Sequence, residues 1–503
     1  MSPVVHGYPL LCGGAMKNVV VIGGGISGLS AAFYLRQYLG DVVDLTLIES
    51  TSRLGGKVIS ARESGFIIEG GPDSFVTKKA ATVEMCHALG LEDQFISSNS
   101  AEHTTYVWSR GRLHPMPEGM MLMAPTMVLP FLRSQLISWP GKLRMGMEML
   151  IRSSGKDGDE SLASFVRRRL GTEALEKIAA PLMAGIYSAD PETLSLQSTF
   201  PLFPEMENKY GSLLRGLMMQ KRAQKELPEK QDSQEKRVPM FMTLRGGLQQ
   251  LIDAILVQLR SEDILLNRRV LSLTRKGDRY KIVLDDGQRI LADEVVFATP
   301  AYETAALVER IDPVLASKLR TIRYVSTATV SLGFKRSDIN HPLNGFGFVV
   351  PHSENLKITA SSWSSAKFDH RAPPDCALIR VFVGGARDEQ LAEMNEAALV
   401  QLARRELNAT MGIATIPILA KAYRWHKGIP QYEVGHQARI AEIDRIVASH
   451  SGLHLAGAAY HASGIPGCIQ SGVRVAQSIT IKSSISGDEP YTGRGVPLSV
   501  YGS

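Results

Sequence analysis

Residues 19–28 read Val-Val-Val-Ile-Gly-Gly-Gly-Ile-Ser-Gly, and no other stretch constrains the chain as much. A short β-branched apolar run ends in glycines and passes directly into 29–39, an apolar helical pattern. Gly23, Gly25 and Gly28 stand at the G-x-G-x-x-G spacing. The first glycine permits a tight turn and the second lets backbone approach a pyrophosphate. The third lets the helix pack close to the strand, with its N-terminus facing the phosphates. Glycine-rich turns are common, so the spacing has weight only because strand and helix flank it. A second strand, 44–48, ends in Glu49, whose carboxylate can accept hydrogen bonds from a ribose diol. Its separation from Gly23 exceeds the usual ~20 residues, which calls for a longer helix–strand connection.

Two further pieces follow at once. Arg53-Leu54-Gly55-Gly56-Lys57 puts a cation and bare backbone where a diphosphate and its linker would pass. The stretch 65–74 is a short apolar strand that ends in the glycine turn Gly70-Gly71-Pro72-Asp73-Ser74. The three together favour a flavin over a nicotinamide. No second G-x-G-x-x-G follows, and Gly384-Gly385 lacks the third glycine. A reduced flavin would therefore be reoxidised by dioxygen or another acceptor.

With 503 residues, 44% of them hydrophobic, the chain can fill two or three domains. A net charge of +6 is mild for this length, and the short basic run Arg167-Arg168-Arg169 reads as a solvated helix face, not a nucleic-acid stripe. The bias suits an anionic substrate or an anionic membrane surface. Cys12, Cys86, Cys376 and Cys468 are scattered with no C-x-x-C, which argues against disulfides, zinc and iron–sulfur clusters and fits a reducing cytoplasm. His450 and His454 have a metal-like spacing but flank the turn signal Ser451-Gly452, so they read as unrelated. Residues 1–15 lack the features of a secretory signal. No stretch reaches the ~18 apolar residues of a spanning helix.

Along the chain, 80–100 reads as helix and loop, and Tyr106-Val107-Trp108 with Arg112-Leu113 as a hairpin. Residues 116–152 are Met- and Pro-rich, with a charge-free run over 120–132 whose length fits an interfacial or core helix. Residues 220–237 are charged and nearly free of apolar side chains, which predicts a mobile loop. Short strands follow to 298, strands dominate 321–388, and 397–407 is helical. A final buried strand at 453–456 meets the turn Gly464-Ile465-Pro466-Gly467 and a helix over 471–481. The expected fold is α/β. A Rossmann-like cofactor domain is assembled from 16–75, 238–300 and 440–482. A mixed-sheet substrate domain takes 76–105 and 301–439, and a helical domain takes 106–237. Tails 1–15 and 483–503 are expected to be disordered.

Several stretches resemble the FAD-dependent porphyrinogen oxidases of haem synthesis, on an amine-oxidase-like architecture. They are Glu69-Gly-Gly-Pro-Asp-Ser-Phe75, Ala184-Gly-Ile-Tyr-Ser-Ala-Asp-Pro191, Tyr423-Arg-Trp-His426 with Ile429-Pro-Gln-Tyr432, and Gly464-Ile-Pro-Gly-Cys-Ile469. The first is shared with amine oxidases and carotenoid desaturases; the middle ones are more particular. The resemblance covers roughly 16–481 and implies non-covalent FAD. By motif match, Gly23, Gly24, Gly25, Ile26, Ser27 and Gly28, with Glu49 and Ser50, would hold the ADP part. Lys57, Gly71, Pro72, Asp73 and Ser74 would lie along the flavin, Val270 at the adenine, and Trp425 with Gly464, Ile465 and Pro466 at the flavin end. A buried core position is the alternative for Trp425.

For the substrate, the resemblance implies a tetrapyrrole close to the Gly185 backbone, with Val349 and Trp363 as walls and Lys79 facing a propionate. A plain surface charge is the alternative for Lys79. Two departures from the protoporphyrinogen pattern, Thr104-Thr105 in place of an arginine and Ser188-Ala189 in place of a glycine pair, lean towards the coproporphyrinogen III branch. The implied reaction removes six electrons in three steps, with dioxygen as acceptor and peroxide released. It converts coproporphyrinogen III to coproporphyrin III or protoporphyrinogen IX to protoporphyrin IX. No catalytic base and no metal is nominated. Peripheral membrane contact and transient contact with the iron-inserting enzyme are the expected partnerships. An amine oxidase, a carotenoid desaturase and a flavin-free binding protein on the same fold stay open as alternatives.

Overall fold

The β-branched run at the start becomes the centre of a five-stranded parallel sheet. The computed structural model describes residues 16–99, 104–121, 123–153, 158–226, 240–461 and 463–485. Strand Lys17–Ile22 pairs with Val43–Ile48 on one side and Glu294–Phe297 on the other. Ile264–Leu265 and Leu453–Leu455 form the edges. Counted in chain order, the strands lie 3-2-1-4-5. That is the doubly wound order, and its switch point falls between the first and fourth strands. Both faces are covered. Val19 and Val21 point into a core with helices Ile26–Leu39, Gln249–Gln258 and Gly464–Ile485. Val20 and Ile22 point into a second core with Ala301–Val308 and Pro313–Arg320. The period-2 alternation of an all-apolar strand thus feeds two cores at once.

A seven-stranded mixed sheet stands beside it. Its order is Leu419–Pro430, Tyr324–Lys335, Cys376–Gly384, Ala360–Ser362, Gly347–Val349, Thr105–Ser109, Arg112–Pro115. Ala328, Val330, Ile379, Val381 and Val383 face a core with helix Glu396–Met411. The alternate residues Thr327, Thr329, Arg380 and Phe382 face a cavity. The predicted hairpin forms, but it bonds into this sheet and not into the helical segment to which its sequence position pointed. Helix Ala81–Ala88 packs in the core of the parallel sheet.

The remaining helices, between Val128 and Glu226, gather around Leu162, Phe165, Ile178, Phe203 and Leu213 and lean on Val349, Ala360 and Tyr432. The charge-free run 120–132 is not one helix. Met120–Met121 and Ala124–Pro125 pair as strands, and Val128–Arg133 is a short helix. Pro125 accounts for the break, since proline lacks the amide that a continuous helix needs, whereas Pro130 falls in the first turn of the short helix and is tolerated there. Residues 220–226 continue helix Leu213–Glu226 instead of forming a loop, and the rest of the expected loop, from 227 to 237, lies outside the described residues. The C-terminal helix Gly464–Ile485 takes in the predicted turn at 464–467 as its first residues and runs past the predicted end. Residues 1–15 and 486–503 lie outside the described residues. No helix among the described residues is long and apolar enough to cross a membrane.

Candidate active site

The two sheets meet at a cavity of about 950 Å³. That is near the upper end for a drug-sized ligand, roughly 300–1,000 Å³. One end lies at the switch point. Gly23 has φ +107°, and a Cβ there would stand 2.9 Å from the Ala298 carbonyl carbon at the end of the fourth strand. Helix Ile26–Leu39 opens here with no side-chain cap and no acidic residue in its first turn. Its first amides are therefore free for an anion. A Cβ at Gly25 would meet nothing within 4 Å, so this glycine opens on the cavity. Gly28 acts differently: a Cβ there would sit 2.0 Å from the Gly23 carbonyl oxygen. It is a packing glycine and does not line the cavity. Gly24 does not line it either; its amide donates to Glu49 Oε2 at 2.8 Å. The Thr51 amide donates to Glu49 Oε1 at 2.8 Å, which fixes the carboxylate at the cavity edge.

Ile26, Ser27, Ser50, Lys57, Gly71, Pro72, Ser74, Val270, Trp425, Gly464, Ile465 and Pro466 also line the cavity. Helix Gly464–Ile485 begins there, with no acidic residue in its first turn. Two helix N-termini therefore converge on one space. Lys57 is enclosed by protein yet reached from the cavity, and no carboxylate among the described residues pairs with it; burial pulls its pKa below the usual lysine value. Uncapped amides, a fixed carboxylate, a glycine that opens on empty space and a cation without a partner form the donor and acceptor set of a flavin dinucleotide. The chain fits FAD.

Some expectations shift. Arg53 does not face a diphosphate: its guanidinium donates to the Leu54 carbonyl at 3.1 Å and to the Gly56 carbonyl, and so braces its own loop. Gly56 supplies the bare backbone. Asp73 lies behind the cavity wall, paired with Lys367 at 3.2 Å. Burial alone would raise its pKa, but Lys367, Arg380 and Ser74 hold the carboxyl well below the usual range. Trp425 is a lining residue, not a core one: it stacks on Tyr423 and donates Nε1 to the Gly70 carbonyl at 2.9 Å.

On the substrate side, Lys79 and Gly185 line the cavity, but Val349 and Trp363 do not. Val349 shares a cross-strand row with Ala360 and Phe382, and helix Ala180–Tyr187 covers it. Trp363 is fully buried between Tyr106 and His341, with ring centroids at 5.6 and 4.8 Å. Each is an apolar residue on a strand or at a strand end, where sequence alone does not say which face is covered. His450 pairs with Asp312 and His454 with Glu294, both at 2.8 Å.

The sequence reading missed Arg380, Phe382, Thr329, Tyr187 and Tyr432, all of which line the cavity. Arg380 did leave a signal. It is the lone charge inside the apolar strand Cys376–Gly384. Tyr187, Tyr324 and Tyr432 bring phenols whose pKa burial pushes up, so these walls carry neutral hydroxyls.

The profile of the flavin containing amine oxidoreductases matches residues 26–480. A coproporphyrinogen III oxidase of Bacillus subtilis (strain 168) is 36% identical over 91% of this chain and 96% of its own length. A mitochondrial protoporphyrinogen oxidase of Nicotiana tabacum is 28% identical over 88% of this chain and 90% of its own length. Among solved structures, a candidate protoporphyrinogen oxidase from Exiguobacterium sp. 255-15 is 31% identical, with a TM-score of 0.83, and covers 93% of this chain and all of that one.

Proposed function

The chain belongs to the flavin-containing amine oxidoreductases, in their porphyrinogen oxidase group, and from that premise we propose that it oxidises coproporphyrinogen III to coproporphyrin III. The step belongs to haem synthesis, with protoporphyrinogen IX as a second substrate. One observation carries the reading. A single cavity holds both the dinucleotide cradle and an apolar floor of Phe382, Trp425 and Tyr187, which is broad enough to seat a macrocycle against a flavin. Relatives named for coproporphyrinogen III are 34–36% identical to this chain and those named for protoporphyrinogen 25–31%, which supports the four-carboxylate substrate.

FAD, which the Gly23 turn, Lys57 and the start of helix Gly464–Ile485 would hold, would supply the two-electron acceptor, with dioxygen as the final oxidant and peroxide as its product. The chain's own work is to bind, orient and exclude water. The floor residues dry the space around the reacting carbon. Lys79, at the cavity wall, faces a propionate as a point charge. The phenols stay protonated and act as no base, and positioning carries the rate.

The helical segment adds a peripheral membrane contact to this reading. Trp139, Leu143 and Leu150 are 69, 69 and 80% exposed, and the cations Arg133 and Arg152 stand near them in the chain. Sedimentation with anionic vesicles tests it; a protein that stays wholly in the supernatant loses this part of the reading. The activity is tested by aerobic turnover of the FAD-loaded protein with both porphyrinogens side by side, followed by porphyrin fluorescence. Faster turnover of coproporphyrinogen III is expected. Bound FAD with no oxidation of either substrate overturns the assignment.

A further inference from the structure

Five ionisable side chains from distant parts of the chain gather behind the Gly70–Gly71 turn, Glu69, Arg371 and Arg380 buried and Asp73 and Lys367 half-buried. Two are carboxylates and three are cations. Asp73 pairs with Lys367 at 3.2 Å. Glu69 lies 3.8 Å from Arg371 and accepts from Ser60 Oγ at 2.6 Å and from the Leu248 amide at 2.9 Å. Each carboxylate therefore has its own cation. The third cation, Arg380, is 3% exposed, and among the described residues no carboxylate stands at ion-pair distance from it. Its Nη2 donates to the Gly71 carbonyl, and to the Gly70 carbonyl at 3.4 Å. Its Nε is buried without a partner, and its guanidinium lies 4.9 Å from the Phe382 ring centroid.

An arginine cannot shed its charge to relieve this burial. Taking a cation out of water costs several kcal/mol, and neutral carbonyls return only part of that. A fold that keeps such a residue in a cavity wall carries at least one surplus positive charge there. That charge favours any ligand state that gains negative charge at the same end of the cavity. The Gly71 turn, Lys57 and Trp425 mark this as the flavin end.

We propose that Arg380 sets the redox poise of the bound FAD: it is a buried cation in excess of the carboxylates around it, with none at ion-pair distance, and it favours the reduced state. The inference rests on FAD in this cavity and not on which substrate is oxidised. Arg380 acts through its field; the Thr329 hydroxyl and Trp425 Nε1, which donate to the same Gly70 carbonyl at 2.9 Å each, hold the turn without adding charge.

The test is an anaerobic potential titration of the FAD-bound protein, read by flavin absorbance, with no porphyrinogen present. Arg380→Met is expected to lower the reduced-to-oxidised ratio at fixed potential at least tenfold, which is about 30 mV for a two-electron couple. Affinity for sulfite, which adds negative charge to the flavin ring, is expected to fall in parallel. Thr329→Val, which loosens the same carbonyl but changes no charge, is expected to leave both unchanged. Asp73→Asn raises the surplus charge and is expected to shift the ratio the opposite way, which keeps the question answerable if Arg380→Met does not hold FAD. An unchanged potential in Arg380→Met, an equal shift in Thr329→Val, or a shift of the same sign in Asp73→Asn overturns the proposal. Failure of the porphyrinogen assay leaves this titration unaffected, so the two readings fail separately.

Discussion

The cavity has two walls that handle polarity in opposite ways. At the carboxyl ends of the parallel sheet the chain uses backbone: two helix starts free of acidic residues, the first of them uncapped, and glycines that let a ligand approach. Behind the floor formed by the mixed sheet it uses a cluster of charges drawn from residues 69, 73, 367, 371 and 380, of which Arg380 alone reaches the cavity. A backbone site depends on local conformation, so it must be written as a short run with fixed spacing. A charge cluster behind the floor depends on segments that meet only after folding, so it can be written anywhere.

The largest expected effect separates the two kinds of glycine in the backbone wall. In Gly28→Val the new Cβ would stand 2.0 Å from the Gly23 carbonyl oxygen and 3.1 Å from Ala298 Cβ. Backbone cannot rotate away, so the cost is expected to exceed the ~3 kcal/mol of ordinary overpacking, and purified protein should be colourless with a lowered Tm. Gly25→Ala is the counterpart. Its Cβ meets nothing and its φ of −72° suits alanine. The Tm of FAD-free protein should not move, while FAD affinity falls about tenfold, or ~1.4 kcal/mol. Loss of folding in both variants would erase the distinction between packing and ligand-facing glycines.

The next effect belongs to the charged wall. Lys367→Met leaves Asp73 buried without its ion-pair partner. Breaking a buried pair by removing one partner costs ~3–5 kcal/mol, mostly for the charge left behind. Denaturant unfolding of the FAD-bound protein should show a loss near the low end of that range, because Arg380 still holds the carboxylate. A loss below ~1 kcal/mol would mean that the pair behaves as a surface contact, and the contrast between the walls would weaken.

What could be read in advance follows the same division. The strand, turn and helix at 17–39, the acidic strand end at Glu49 and the final turn at Gly464 were legible, because each is a local pattern with one physical use. Trp363 and Val349 were misplaced because an apolar side chain on a strand says nothing about which face a later helix covers. Arg53 was misplaced because a cation near a glycine pair can brace its own loop as well as face a ligand. The unbroken helix expected over 120–132 failed on Pro125, which was in plain view.

A pH profile sharpens the comparison further. Burial pushes the Glu69 carboxyl from an ordinary 4.5 up to about 7, against the pull of Ser60 and Arg371. The folded protein then holds a proton that the unfolded chain has released. Stability from this group is fully present below the unfolded value and is lost as pH rises towards 7. The span corresponds to about 3 kcal/mol. Glu69→Gln keeps an acceptor for the Leu248 amide and a partner for Ser60 but does not titrate. Wild type should therefore lose Tm relative to the variant between pH 5 and pH 8. Parallel profiles would show that Glu69 is already ionised at the acid end.

The smallest expected effect bears on the seam where the walls meet the substrate. The Gly185 backbone is open to the cavity, yet a Cβ there would point the other way, 3.6 Å from Val349 Cγ1 and 4.0 Å from Ala360 Cβ. Both are ordinary van der Waals separations. The motif reading holds that glycine is needed here so that a ring can come close, but the direction of the Cβ places that need elsewhere. Gly185→Ala should change stability by less than ~1 kcal/mol, with helix propensity in its favour. It should also leave KM for the porphyrinogen within about twofold. A large rise in KM at unchanged Tm would show that helix Ala180–Tyr187 turns when substrate enters and that this residue is then pressed against the macrocycle. The glycine would belong with Gly25, as ligand-facing backbone, and the backbone wall would extend across the seam to the substrate itself.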